Sequence, residues 1–248
     1  MTDAAGGDAR FIDVNGVRLH VETFGKSDDP MVLLIGGATA TMRVWDAEFC
    51  RRLADGGRLV VRYDQRDTGE STAYPLGSPG YDFTDLIADA AALPRALGAD
   101  RAHVVGASLG GGIGQRLALE HPALVASLTV AASSPGMRPN SAPDPDLPPM
   151  SAELQRRFGS GPPPTPTHNH WVIDGGPSYR DRLGQITAPT LVIQGTEDPL
   201  FPFGHAQALA REVPGSRLIP MAGVGHEPPP RQTWDEIVPA LLEHTDRP

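Results

Sequence analysis

Apolar and polar residues alternate along Phe11-Ile12-Asp13-Val14 and again along Val17-Arg18-Leu19-His20-Val21-Glu22. Between them lies Asn15-Gly16, the pair best able to take the positive φ angles of a two-residue turn, so an antiparallel hairpin is expected. The pattern then changes. Met31-Val32-Leu33-Leu34-Ile35 is a continuous apolar run of the kind a strand buried on both faces requires, and residues 59–63, 103–105, 124–132, 190–194 and 216–220 repeat it. Helical spacing fills the intervals. Residues 43–54 place Val44, Phe49 and Leu53 on one stripe and stop at Gly56-Gly57. Residues 82–97 read as a helix that Pro94 should kink or end early. Residues 109–120 form a helix ended by His121-Pro122, residues 204–212 another, and residues 232–244 a last one with Ile237, Leu241 and Leu242 toward the core. Strands separated by helices at this spacing predict an α/β fold. The central sheet is mostly parallel, begins with the antiparallel hairpin, and carries helices on both faces.

Residues 133–184 break the rhythm. Eleven of the chain's 26 prolines fall there, Pro148-Pro149 and Pro162-Pro163-Pro164 among them, so regular helix is expected only in pieces such as 151–158. Sheet elements flank both ends, which predicts a short lid folded over the sheet's C-terminal edge within a single domain spanning 1–248. His168, His170 and Trp171 are candidates to line a pocket under it; with no further Cys, His or carboxylate at useful spacing, a metal site is not expected. The polar loop Asp64-Gln65-Arg66-Asp67-Thr68-Gly69-Glu70-Ser71 reads as an Arg/Asp network that fixes the loop, with substrate contact as the alternative.

Composition narrows the classes. A chain of 248 residues, 40% hydrophobic, can bury a core of one-domain size. Its net charge of -9, without any basic run, argues against nucleic acid and anionic membrane surfaces as partners. Acidic residues near the start, Asp3 and Asp8, do not suit a signal peptide, and no stretch approaches membrane-spanning length; a soluble, cytoplasmic protein is the expectation. Cys50, the sole cysteine, permits no intrachain disulfide, agrees with a reducing compartment and reads as helix packing.

The chemistry gathers at Gly106-Ala107-Ser108-Leu109-Gly110, where an apolar strand run meets a helical one. This G-x-S-x-G pattern puts a serine on a strained turn that only small neighbours tolerate. A serine hydroxyl near neutral pH is a poor nucleophile and needs a base, and the base needs an anion to hold its tautomer and stabilise its charged form. The chain supplies Asp198 after one buried-type strand and His226 in a glycine loop after the next, in the order Ser, acid, His. All three follow C-terminal ends of expected parallel strands, the edge where ligands and catalytic groups collect. Glu197 is the rival acid. An oxyanion hole would come from the amide of Leu109, which follows the serine, and from Gly37 in the loop after the third strand, with Ala38 as the alternative donor.

These motifs resemble the α/β-hydrolase superfamily. Gly36-Gly37, the segment Val61-Arg62-Tyr63-Asp64-Gln65-Arg66-Asp67-Thr68-Gly69-Glu70-Ser71-Thr72, Arg101-Ala102-His103-Val104-Val105-Gly106-Ala107-Ser108, Pro189-Thr190-Leu191-Val192-Ile193-Gln194 and Gly223-Val224-Gly225-His226 resemble aclacinomycin methylesterase-like esterases. The likeness covers about residues 10–135 and 184–247. Those esterases carry a longer, largely helical cap, so a shortened, proline-rich one is this chain's departure. Ile35 also stands where many superfamily members have histidine. The resemblance implies a cofactor-free serine esterase acting through an acyl-enzyme on a small-molecule ester, such as a methyl ester of polyketide type, with Ala38 and Trp171 as candidate substrate-binding residues. Lactonase, carbon–carbon hydrolase, thioesterase and perhydrolase chemistry use the same three residues, and a non-catalytic binding protein on this fold is a further alternative. A dinucleotide fold would need a third glycine where Gln115 stands, and a phosphate loop would need Gly-Lys-Ser/Thr. Dehalogenases and epoxide hydrolases resemble the chain but would need aspartate at position 108.

Overall fold

A computed structural model describes residues 7–158 and 168–246. Eight strands, β1 (Asp8–Val14), β2 (Val17–Phe24), β3 (Met31–Ile35), β4 (Leu59–Tyr63), β5 (Ala102–Ala107), β6 (Val125–Ala131), β7 (Thr190–Gly195) and β8 (Arg217–Met221), form one sheet in the order β1-β2-β4-β3-β5-β6-β7-β8. β1 pairs antiparallel with β2 through the Asn15-Gly16 turn, and β2 pairs antiparallel with β4. From β4 to β8 every pairing is parallel. The expected hairpin and mostly parallel sheet are therefore both present.

Alternate residues of each central strand serve opposite faces. Leu33, Ile35, Val61, Val104, Leu128 and Val192 pack with α2 (Phe83–Ala96), α3 (Leu109–Glu120) and α5 (Gly204–Glu212). Val32, Leu34, Val60, Val105, Leu191 and Ile193 pack with α1 (Ala47–Asp55) and α6 (Trp234–Thr245). Period-2 side-chain direction is what lets one continuous apolar run fill two cores. Among the described residues no helix is long and apolar enough to cross a membrane.

Two helix expectations need correction. α1 starts at Ala47, not at residue 43, because the Asp46 carboxylate caps it by accepting from Glu48 N–H at 2.7 Å. Met42–Val44 is instead a single 3-10 turn, and Val44 is 38% exposed, not part of a buried stripe. Pro94 does not end α2 early. The helix begins at a capping box formed by Asp82 and Asp85 and runs through Pro94 to Ala96. The proline falls in the last turn, where its missing N–H forfeits one bond, and the residue is buried.

The loop after β4 is a structural network. Asp64 accepts from Met42 N–H at 2.7 Å and from Glu70 N–H at 3.1 Å, and lies 3.3 Å from His20 Nδ1. Arg66 donates to Asp89 of α2 from Nε at 2.6 Å and from its second nitrogen at 2.8 Å, and Asn15 donates to the same carboxylate at 2.9 Å. Asp67 accepts from Tyr81 Oη–H and from Tyr74 N–H, both at 2.6 Å.

Described parts of 133–184 are tied to the frame at several points. Ser151 N–H donates to Pro199 O at 2.7 Å, and His205 Nε2 lies 2.7 Å from Pro148 O. Arg180 bridges Asp146 and Glu212, and Tyr179 Oη–H donates to Gly112 O of α3 at 3.2 Å. A helix, α4 (Ala152–Phe158), is present near the expected 151–158, whereas Pro162-Pro163-Pro164 and the segment 1–6 lie outside the described residues.

Because Arg66 and Asp89 are both buried, removing one charge strands the other. Asp89→Ala is expected to lower unfolding free energy by about 3–5 kcal/mol in urea titration, and Arg66→Met/Asp89→Leu to recover part of that loss.

Candidate active site

Ser108 joins β5 to α3 with φ 54° and ψ -116°, a left-handed conformation that costs a non-glycine residue about 1–3 kcal/mol. Its N–H donates to Ala131 O at 2.9 Å, while Ser133 Oγ–H donates to its carbonyl at 2.8 Å, so the end of β6 and the residues just after it hold the turn in place. The glycines of the pentapeptide are dictated by contact. A Cβ on Gly106 would lie 2.0 Å from Gly110 O, and one on Gly110 would lie 2.3 Å from Ile35 O and 2.6 Å from Gly36 O. Backbone packs on backbone here, and no side chain can give way.

The three expected residues meet. His226 Nε2 is 3.2 Å from Ser108 Oγ, and His226 Nδ1 is 2.8 Å from Asp198 Oδ2. A carboxylate can only accept, so Nδ1 carries the proton and Nε2 is left to accept from the serine hydroxyl. Asp198 is buried, and its carboxylate also accepts from Gln194 Nε2 at 2.8 Å, Leu200 N–H at 2.8 Å and Phe201 N–H at 2.9 Å. Burial pushes its pKa up, but the hydrogen bond and charge of His226, with the two backbone donors, outweigh it and hold the carboxyl below its ordinary value. The Phe201 ring stands edge-on to the imidazole at 5.4 Å. Glu197, the rival acid, is exposed; its backbone N–H pairs with Val224 O at 3.0 Å, and the imidazole bonds to its neighbour.

The loop after β3 runs beside the serine. A Cβ on Gly37 would be 3.3 Å from Ser108 Cβ and 3.8 Å from Oγ. Leu109 is the first residue of α3, and first-turn amides have no partner within a helix. The Gly37 backbone and the start of α3 thus both adjoin Ser108. Ala38 follows, half-buried. Trp171 is 40% exposed, in a 3-10 turn at Asn169–Trp171.

His170 does not line a pocket as expected, whereas His168 is half-buried. His170 is 1% exposed, with Nδ1 accepting from Thr39 N–H at 3.0 Å and Nε2 donating to Arg66 O at 2.9 Å. His168 Nε2 lies 2.8 Å from Asp67 O, and Asn169 bonds Asp67 and Gly77. Sequence reasoning missed Gln194 and Gln65. Gln65 Nε2 donates to Gly36 O at 3.0 Å and reaches Gly37 O at 3.4 Å. A glutamine closing an apolar strand run, as Gln194 does, is the signal that could have pointed to one of them.

A family model described as alpha/beta hydrolase fold matches residues 30–165, and a second, described as TAP-like protein, matches residues 167–248. The chain belongs to the α/β-hydrolase family. Among its relatives, the rhodomycin D methylesterase DauP of a Streptomyces species is 31% identical over 95% of this chain and 97% of its own length. A putative carbamate hydrolase, RutD of Variovorax paradoxus, is 30% identical over 84% of this chain and 90% of its own. The solved structure of a hydrolase from Pseudomonas aeruginosa superposes with a TM-score of 0.72 at 25% identity, over 96% of this chain and 97% of that one. Alignment with the methylesterase spans 291 positions against the 248 residues here, so that relative carries segments this α/β-hydrolase lacks. The chain is an enzyme of esterase type.

The close packing makes two glycines behave differently. Gly110→Ala should cost about 3 kcal/mol or more in urea unfolding, because the new methyl meets carbonyl oxygens. Gly37→Ala should leave stability within about 1 kcal/mol yet slow modification of Ser108 by a fluorophosphonate, since its methyl crowds the serine side chain.

Proposed function

We propose that this α/β-hydrolase is a serine esterase that cleaves small carboxylic esters through an acyl-enzyme, with Ser108 as nucleophile, His226 as base and Asp198 as the anion that orients it. The unbroken chain of hydrogen bonds from Asp198 through His226 to Ser108 carries this reading. His226 Nε2 takes the hydroxyl proton as Oγ attacks the ester carbonyl carbon. Negative charge collects on the carbonyl oxygen, where the Gly37 and Leu109 amides stabilise it. As the tetrahedral intermediate collapses, the carbon–oxygen bond to the alcohol breaks and His226 returns the proton to the leaving alkoxide. Water, deprotonated by the same nitrogen, then attacks the acyl-enzyme, releasing a carboxylic acid and restoring Ser108.

For substrate, we propose a methyl ester on a polyketide-type acid. Support comes from two rhodomycin D methylesterases, 31% and 30% identical over 95% of the chain. The described parts of the 133–184 segment serve as a short cap, Ala38 and Trp171 contribute to the substrate surface, and the brevity of the cap favours a broad range of small activated esters. Carbamates are a second reading, favoured by the relative named as a putative carbamate hydrolase. A cytoplasmic setting accords with a single, buried cysteine whose thiol burial pushes up to about 12.

Turnover of p-nitrophenyl acetate is expected to fall by about 10³-fold or more in Ser108→Ala and by about 10²–10⁴-fold in Asp198→Asn, and to stay within about twofold in Glu197→Ala. Full-rate hydrolysis by Ser108→Ala contradicts the mechanism, and a larger loss at Glu197 than at Asp198 contradicts the choice of acid. Stoichiometric methanol release from a polyketide methyl ester, against ammonia or amine from a carbamate, decides the substrate.

A further inference from the structure

His170 belongs to the 133–184 segment, yet its imidazole lies inside the frame. Its two nitrogens bridge two separate loops. Nδ1 accepts from Thr39 N–H at 3.0 Å, in the loop that follows β3, and Nε2 donates to Arg66 O at 2.9 Å, in the loop that follows β4. Because Arg66 O can only accept and Thr39 N–H can only donate, the ring must be neutral with its proton on Nε2. Its surroundings favour that form: burial, with the neighbouring His168 adding, pushes the imidazole down to about 4. Thr39 itself takes φ 65°, a conformation a β-branched residue holds only when its surroundings enforce it.

The same loop is held from its carbonyl side. Gln65, also buried, donates from Nε2 to Gly36 O at 3.0 Å and reaches Gly37 O at 3.4 Å. Residues 36–39 therefore hang between two side chains, one on the carbonyls and one on the Thr39 amide. Arg66, which supplies the carbonyl under His170, is locked by Asp89. A rigid chain of contacts thus runs from α2 through Arg66 and His170 to the loop whose Gly37 backbone flanks the serine.

We propose that His170 is a positioning residue for the oxyanion loop: by accepting the Thr39 amide proton it fixes the course of residues 37–39 and hence the direction of the Gly37 N–H. This rests on the reading that Gly37 contributes to the oxyanion hole of a serine hydrolase. Transition-state donors are exacting, since a displacement of about 1 Å costs about 10²-fold in rate. The effect belongs in kcat, because a ground-state carbonyl makes weaker use of these donors than the oxyanion does.

The test compares wild type, His170→Ala, His170→Asn and His170→Gln with p-nitrophenyl acetate, each normalised to sites titrated by a fluorophosphonate, beside Ser108→Ala. An asparagine side chain can present Oδ1 about where Nδ1 stands, whereas a glutamine amide reaches to the depth of Nε2. The expected result is a kcat loss of about 10–100-fold in His170→Ala and His170→Gln with KM within about threefold, and recovery to within about fivefold of wild type in His170→Asn. The Ki of a trifluoromethyl ketone should rise in parallel with the fall in kcat/KM. A lower Tm with unchanged kcat per titrated site in His170→Ala overturns the proposal and leaves a structural histidine. Full-rate turnover by Ser108→Ala would instead overturn the underlying serine mechanism.

Discussion

Everything in this molecule leads back to one constrained peptide, the left-handed backbone of Ser108 between β5 and α3. The turn exists only because Gly106 meets the Gly110 carbonyl and Gly110 meets the carbonyls of Ile35 and Gly36 without a side chain intervening. That close approach has a structural result and a chemical one. Structurally, it draws the start of α3 against the end of β3, which pairs directly with β5. Chemically, it sets the loop of Gly37 beside the serine hydroxyl. Strain of about 1–3 kcal/mol at one residue is small against the burial that surrounds it, and it presents the hydroxyl at the sheet edge where other loops converge.

The rest of the site is a matter of keeping one buried charge ionised. Asp198 sits after β7, shielded from water, where an unpaired carboxylate would be costly. Four donors meet it: the imidazole, Gln194 and two backbone amides. His226 and the two backbone amides outweigh the effect of burial, so the carboxyl is held below its ordinary value. His170 and Gln65 bond the loop of residues 36–39, which runs beside the serine.

Strand runs and their edges were legible because a parallel sheet imposes continuous apolar stretches, and Ser108, Asp198 and His226 each follow the end of one. Their chain order and shared edge were therefore readable before their distances. Local competition was harder to read. Asp46 captured the start of α1 by capping, which a periodicity of Val44, Phe49 and Leu53 does not register. Pro94 proved compatible with α2 because its position in the final turn, not its identity, sets the cost. His170 left no local trace at all. Its partners Thr39 and Arg66 lie 131 and 104 positions away, so a histidine in a proline-rich stretch looked like pocket lining until the fold joined three loops.

In the proposed mechanism Ser108 carries the acyl group during turnover. Rapid acid quenching of the enzyme with an excess of p-nitrophenyl acetate, followed by intact-mass and peptide-level mass spectrometry, tests it most directly. The expected result is a burst of one p-nitrophenolate per chain and an acetyl adduct on the peptide containing Ser108. Steady turnover with no adduct at Ser108, or with the adduct on another residue, would contradict it.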